Sequence, residues 1–192
     1  MSETKLVRSK AQIFTTAAIC VASLLFIGLL LKGLSFDTSK VPPSSVDKLA
    51  KPFRVAWIQG QEHFGKPAGR TFRLEDFRGK KTIVNFWASW CVSCRTEAHE
   101  LESFFRKYGK NINVVGIAIQ DEPSAARDFT KRYGKSYIIG LDEDGKAGID
   151  YGVSGVPETF IIDAEGYVRE KITGPVDVNM LEKALGLDNP ES

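Results

Sequence analysis

From Ala11 to Leu31 the chain runs 21 residues without a charge. At 1.5 Å per helical residue this is about 30 Å, the hydrocarbon thickness of a bilayer. The one-sided polar stripe of a surface helix is missing, so the run predicts a transmembrane anchor over residues 11–31. A cleaved export signal is the rival reading. Its apolar region is usually about 7–15 residues and ends at an A-x-A-like site, whereas Lys32-Gly33-Leu34-Ser35 is a poor cleavage signal. Lys5, Arg8 and Lys10 precede the run, opposed only by Glu3. That bias leaves residues 1–10 in the cytoplasm and sends the rest across the cytoplasmic (inner) membrane, as a single-pass protein facing the periplasm. Cys20, inside the span, reads as a small apolar residue. Residues 32–50 are polar, contain Pro and Ser, and lack periodicity, which makes them a linker.

Beyond the linker, the pattern predicts one globular domain over residues 51–187 and a short tail over 188–192. Thr82–Trp87 and Asn113–Ile119 are continuous runs of β-branched and aromatic residues, as expected of strands buried on both faces. Between them Ala98, Leu101, Phe104, Phe105 and Tyr108 recur at helical spacing, and Gly109 supplies a stop signal. Strand, helix and strand in this order predict a parallel βαβ unit. Pro123 opens a second amphipathic stretch through Ala126, Phe129 and Tyr133. Thr159–Ile162 and Tyr167–Ile172 flank Asp163-Ala-Glu-Gly166 and predict a hairpin. Val178, Leu181 and Leu185 mark a closing helix, with Gly186 beyond it. Phe53–Ile58 and Thr71–Leu74 predict an added N-terminal pair of strands. The fold class is α/β, a mixed sheet flanked by helices.

Charge and composition narrow the function. Lys and Arg number 26 against 24 Asp and Glu; without a basic stripe, nucleic-acid binding drops out. Three cysteines are too few for a disulfide scaffold, and two histidines are too few for most zinc sites.

The chemistry concentrates in Trp90-Cys91-Val92-Ser93-Cys94-Arg95, just after a buried strand and at the mouth of the helix that follows. There, free N–H groups and the positive end of the helix dipole favour a thiolate. Two intervening residues let the second sulfur reach the first. Cys91 is then the attacking thiol and Cys94 the resolving one. A purely stabilising disulfide is a weaker reading, because so short a loop removes little unfolded-chain entropy. A zinc half-site would need two more ligands, and only His63 and His99 exist. A c-type haem attachment needs His where Arg95 stands.

Val84-Asn-Phe-Trp-Ala-Ser-Trp-Cys-Val-Ser-Cys-Arg95, together with Gly155-Val-Pro-Glu-Thr-Phe160, resembles the membrane-anchored thioredoxin-like proteins of the TlpA/ResA/CcmG group. Tyr151-Gly-Val-Ser154 and Ile161-Ile-Asp163 are most similar to its cytochrome c maturation members. The resemblance covers residues 51–187. It implies a thioredoxin fold, a redox-active Cys91–Cys94 disulfide, and Pro157 in cis facing it, with Val156 offering main-chain groups to a substrate strand. Trp90 is expected to pack beside the disulfide and contact partners. Where thioredoxin itself has a buried acid on the strand before the motif, this chain has Asn85, which does not titrate. Glu97, one turn after Cys94, matches an acidic residue of the group and is a candidate proton relay; the plain alternative is a solvated first-turn glutamate. Asp121 and Glu122 match an acidic pair of the maturation members and are further candidates for a proton relay, with helix capping by Asp121 as the alternative. His99 and Arg95 read as exposed helix residues. The cysteines have no proline between them, which departs from the commoner thioredoxin patterns.

What the resemblance implies is a thiol:disulfide oxidoreductase without cofactor or metal. Its partner would be an apocytochrome c, or a chaperone holding it, and a membrane thiol-disulfide carrier would donate the electrons. The rivals are a general extracytoplasmic reductase or oxidase and a copper-handling module. Copper-binding relatives use a wider cysteine spacing and a distant His, and no His follows His99.

Overall fold

The computed structural model describes residues 10–34, 46–64 and 70–187. The expectations for residues 1–9, 35–45 and 188–192 lie outside the described residues. The chain divides into two units, residues 1–42 and 43–192.

In the first unit a single helix, α1, runs Lys10–Leu34. Phe14, Ile19, Leu24, Leu25 and Leu29 are exposed on it. Among the described residues no helix is long and apolar enough to cross a membrane.

The second unit is built on one seven-stranded sheet. Its strands are β1 (Arg54–Gln59), β2 (Thr71–Arg73), β3 (Thr82–Trp87), β4 (Asn113–Ile119), β5 (Ile138–Asp142), β6 (Glu158–Ile162) and β7 (Val168–Thr173). Their spatial order is β2-β1-β5-β4-β3-β6-β7. The inner strands β3, β4 and β5 are parallel, and β6, β7, β1 and β2 add antiparallel edges. The sheet is mixed, as the sequence predicts. Helices α2 (Val92–Tyr108), α3 (Pro123–Arg132), α4 (Lys146–Asp150) and α5 (Val178–Leu185) complete the unit.

All six residues of β3 are buried, so its alternation feeds two cores. Ile83 and Trp87 join Leu101, Phe104, Phe129 and Leu181 beneath α2 and α5. Val84 and Phe86 join Phe53, Phe72, Tyr151 and Phe160 on the opposite face. Aromatic rings fill this second core, with Phe86 and Phe160 edge-to-face at 5.6 Å.

Four features depart from the expectations. Residues 46–50, read as linker, run along the sheet: Leu49 bridges to Tyr167, the Ala50 amide donates to Gly166 O, and Ala50 is buried. β5 was not anticipated, because Gly140 interrupts its short apolar run. A Cβ there would come within 2.5 Å of Val55 and 2.7 Å of the Phe72 ring, so the glycine is fixed by packing. Nor was α4, a five-residue turn whose Ala147 and Gly148 amides donate to the Asp142 carboxylate. Gly109 does end α2, but with a right-handed φ of −61°. Its reason is steric, since a Cβ there would stand 2.6 Å from the Phe105 ring.

Candidate active site

The dithiol pair lies where β3 hands over to α2. Cys91 is the residue before the first turn of α2, and its sulfur accepts the Cys94 amide at 3.1 Å. A sulfur thereby fills the role usually taken by Ser or Asp at a helix mouth. Cys91 and Cys94 are joined by a disulfide across a Cα–Cα distance of 5.3 Å. Cys94 is fully buried, whereas Cys91 retains 6% exposure. The bond can therefore be approached from outside on the Cys91 side only.

The second loop of the site crosses directly above. The Val156–Pro157 peptide is cis, and Val156 O lies 3.5 Å from the Cys91 sulfur. Pro157 is buried and Val156 half-buried. On the flank, Trp90 is 56% exposed and its indole N–H donates to Gln120 O at 3.0 Å. Val92 is also exposed. Trp90, Val92 and Val156 thus form an apolar rim around the accessible sulfur.

Glu97 is not a solvated residue. It faces inward from α2 with 1% exposure. Asn85 donates to one carboxylate oxygen at 2.9 Å and the Val176 amide to the other at 3.2 Å. Asn85 also donates to Thr159 Oγ1 at 3.1 Å, which links β3, α2 and β6. Burial pushes the Glu97 carboxyl up to about 7, and the two hydrogen bonds and the charge of Lys135 pull against that rise. The strand position that carries an acid in thioredoxin here holds the amide that grips an acid reaching in from the helix.

Asp121 and Glu122 do not behave as a pair. The Asp121 carboxylate accepts the Ser89 amide at 2.6 Å and the Ser89 hydroxyl at 2.7 Å. It also accepts the Glu122 amide. Its work is to tie the loop before Cys91 to the loop after β4. Glu122 is exposed, and it, not Asp121, precedes the first turn of α3, with no side-chain cap. His99 and Arg95 are exposed, as expected.

Two buried residues near the site have no role that the sequence alone predicts. Lys135 has 5% exposure and no hydrogen-bond partner for its ammonium among the described residues. It sits 4.0 Å from the Trp87 ring centroid, and burial lowers it to about 7. Glu158, next to Pro157, is fully buried. It accepts the Ser154 hydroxyl at 2.8 Å and pairs with Lys171 at 2.8 Å. Its place in the second motif was the only available signal, and Lys135 had none. Among the described residues there is no group of three or more His, Cys, Asp or Glu side chains placed to hold a metal ion.

Comparison with known proteins agrees with this geometry. Residues 48–185 match the Redoxin family. The chain is 41% identical over 153 residues to the thiol:disulfide interchange protein DsbE of Allochromatium vinosum, covering 79% of this chain and 80% of that protein. It is 38% identical over 151 residues to the thiol:disulfide interchange protein HelX of Rhodobacter capsulatus, with 78% and 80% covered. Among solved structures, a DsbE-type protein of Chlorobium tepidum superposes with a TM-score of 0.62 at 27% identity, covering 73% of this chain and 96% of that one. With a Cys-x-x-Cys disulfide at a helix mouth beneath a cis-proline loop, the chain belongs to the Redoxin family and, within it, to the DsbE-type thiol:disulfide interchange proteins.

Proposed function

We propose that this oxidoreductase acts as a reductant at the outer face of the cytoplasmic membrane, held there by an anchor in the uncharged run 11–31, and that its substrate is the Cys-x-x-Cys disulfide of an apocytochrome c or of a chaperone carrying it. The reduced Cys91 thiolate attacks one sulfur of the partner's disulfide, and the other partner sulfur leaves with the electron pair. A mixed disulfide joins Cys91 to the partner. Cys94 then attacks the Cys91 sulfur, restores the Cys91–Cys94 bond and releases the second partner thiol. A membrane thiol-disulfide carrier returns two electrons to the pair.

The observation that carries this reading is the pairing of one slightly exposed and one fully buried sulfur, with Val156 O 3.5 Å from the former. A partner strand laid along the Val156 backbone brings its own disulfide to Cys91, a form of strand addition. Trp90, Val92 and Val156 supply the apolar contact. Glu97 is the proton acceptor for Cys94, because a buried carboxyl near 7 is matched to a thiol at neutral pH. Asp121 holds the Trp90–Cys91 loop through Ser89, and Glu122 lies on the rim. The 21 uncharged residues 11–31 and the basic residues before them support the anchor and its orientation.

Trapping tests it. Cys94→Ala leaves the mixed disulfide unresolved, so partner proteins accumulate on Cys91 and mass spectrometry identifies them. Capture of apocytochromes or their chaperone is the expected result. Capture of many unrelated exported proteins would establish a general reductase instead.

A further inference from the structure

Lys135 is a buried charged group on the dithiol side that the exchange chemistry leaves unused. Among the described residues its ammonium has no hydrogen-bond partner and lies over ring faces, with centroids at 4.0 Å for Trp87, 5.0 Å for Phe129 and 5.6 Å for Tyr137. Such faces favour a cation but do not take its proton. Two carboxylates of α2 act on it through their charge, Glu97 and Glu102. Glu102 already has its own partners in contact: Arg106 Nε, the Ser136 amide and the Ser136 hydroxyl, each at 2.8 Å. Tyr137, just before β5, is kept protonated by burial. Among the described residues Glu97 accepts from the neutral Asn85 side chain and the Val176 amide. Asn85, which holds Glu97, and Trp87, which faces Lys135, stand two residues apart on β3 and so point to the same side of the sheet, and the cation whose charge reaches Glu97 is Lys135.

We propose that Lys135 is the remote counter-charge of Glu97, and that the two form one proton-holding unit beneath Cys94 in which Lys135 sets how readily Glu97 accepts the Cys94 proton. The inference rests on the relay role of Glu97 given above and assigns Lys135 as its positioning residue. Both groups titrate near neutral pH, where a change in one is felt by the other. With Lys135 charged, Glu97 stays a carboxylate and removes the proton from the Cys94 thiol. The Cys94 thiolate then attacks the Cys91 sulfur of the mixed disulfide. The Cys91–partner bond breaks, the Cys91–Cys94 bond forms, and the partner sulfur leaves with the electron pair and takes up a proton returned by Glu97. Without the cation, Glu97 holds its proton to higher pH and the thiol keeps its own.

The test uses the full chain and Lys135→Met. The Glu97 midpoint is followed by carboxyl-carbon NMR, and single-turnover oxidation of the reduced protein by a disulfide peptide is followed against pH. Loss of Lys135 is expected to move the Glu97 midpoint from about 7 upward and to slow the turnover at pH 7 about fivefold, because a rise of about one pH unit cuts the carboxylate share there from about one half to about one tenth. In Glu97→Gln, adding Lys135→Met is expected to leave the pH profile where it is. An unmoved Glu97 midpoint in folded Lys135→Met overturns the counter-charge. A Glu97→Gln profile equal to that of the parent overturns the relay itself, so the two failures are distinct. Should Lys135→Met not fold, the pair is read from the other side: in Glu97→Gln the Lys135 ammonium midpoint should fall, and an unmoved one overturns the proposal.

Discussion

On the face of the sheet that carries Phe86 and Phe160, a buried carboxylate and a lysine touch: Glu158 and Lys171, at 2.8 Å. On the face that carries the dithiol, Glu97 and Lys135 are equally buried, yet neither has an ion-pair contact among the described residues. The contact pair is further fixed, since Lys171 also donates to Gly152 O at 3.0 Å and Ser154 donates to Glu158. It braces the segment 152–158, which presents Val156 to Cys91. The separated pair is held near neutrality by burial. One arrangement makes charge a fixture of the loop; the other keeps protons available where a thiol must lose one.

The largest effect should come from breaking the contact pair on one side only. Lys171→Met leaves the Glu158 carboxylate buried without its cation. Removing one partner of a buried pair costs about 3–5 kcal/mol. Urea unfolding monitored by Trp fluorescence should show that loss at neutral pH. A loss within about 1 kcal/mol, the scale of an exposed pair, would mean that the Glu158 site is open to water.

The difference between the two pairs was only partly legible in the sequence. β3 and β4 could be read because strands buried on both faces are continuous apolar runs. The dithiol could be read because its chemistry needs a short spacing at a helix mouth. Glu97 could be placed one turn from Cys94, but its burial depends on Asn85 across the core and on Val176, which follows it by 79 residues. Lys135 follows Gly134 and reads locally as a solvated turn residue. Its environment is made by Trp87 of β3, Phe129 of α3 and Tyr137, three rings brought together by the tertiary fold. β5 was hidden for the same reason, because Gly140 answers to Val55 and Phe72 across the sheet. Local pattern fixes elements, whereas long-range packing decides which charges are buried.

A second effect, of intermediate size, follows from the separated pair and depends on pH. Glu97 holds its proton more tightly in the folded chain, at about 7 against an ordinary 4.5. Its raised value favours folding below pH 4.5, and that advantage is lost as pH rises to 7. Glu97→Gln, which does not titrate, escapes the loss. Between pH 4 and pH 8 the stability difference between variant and parent should therefore move by about 3 kcal/mol in favour of the variant. Denaturant titrations of both proteins across this range check it, and a difference that stays constant with pH would place Glu97 in contact with solvent.

The smallest effect sharpens the contrast by removing both members of the contact pair. In Glu158→Gln with Lys171→Met no charge is left behind. The glutamine carbonyl can still accept the Ser154 hydroxyl, and the methionine stem keeps the apolar contact with Phe160, over whose ring the lysine lies at 5.3 Å. Exchanging a buried pair for neutral groups of similar volume is often close to neutral, because the desolvation of two ions disappears with their attraction. The double variant should therefore unfold within about 1 kcal/mol of the parent, although Lys171→Met alone is strongly destabilised. Its exchange rate with a disulfide peptide then isolates what the ion pair adds to the Val156 loop. A slower rate at unchanged stability assigns the pair to holding that loop, and an unchanged rate shows that the loop is held without it.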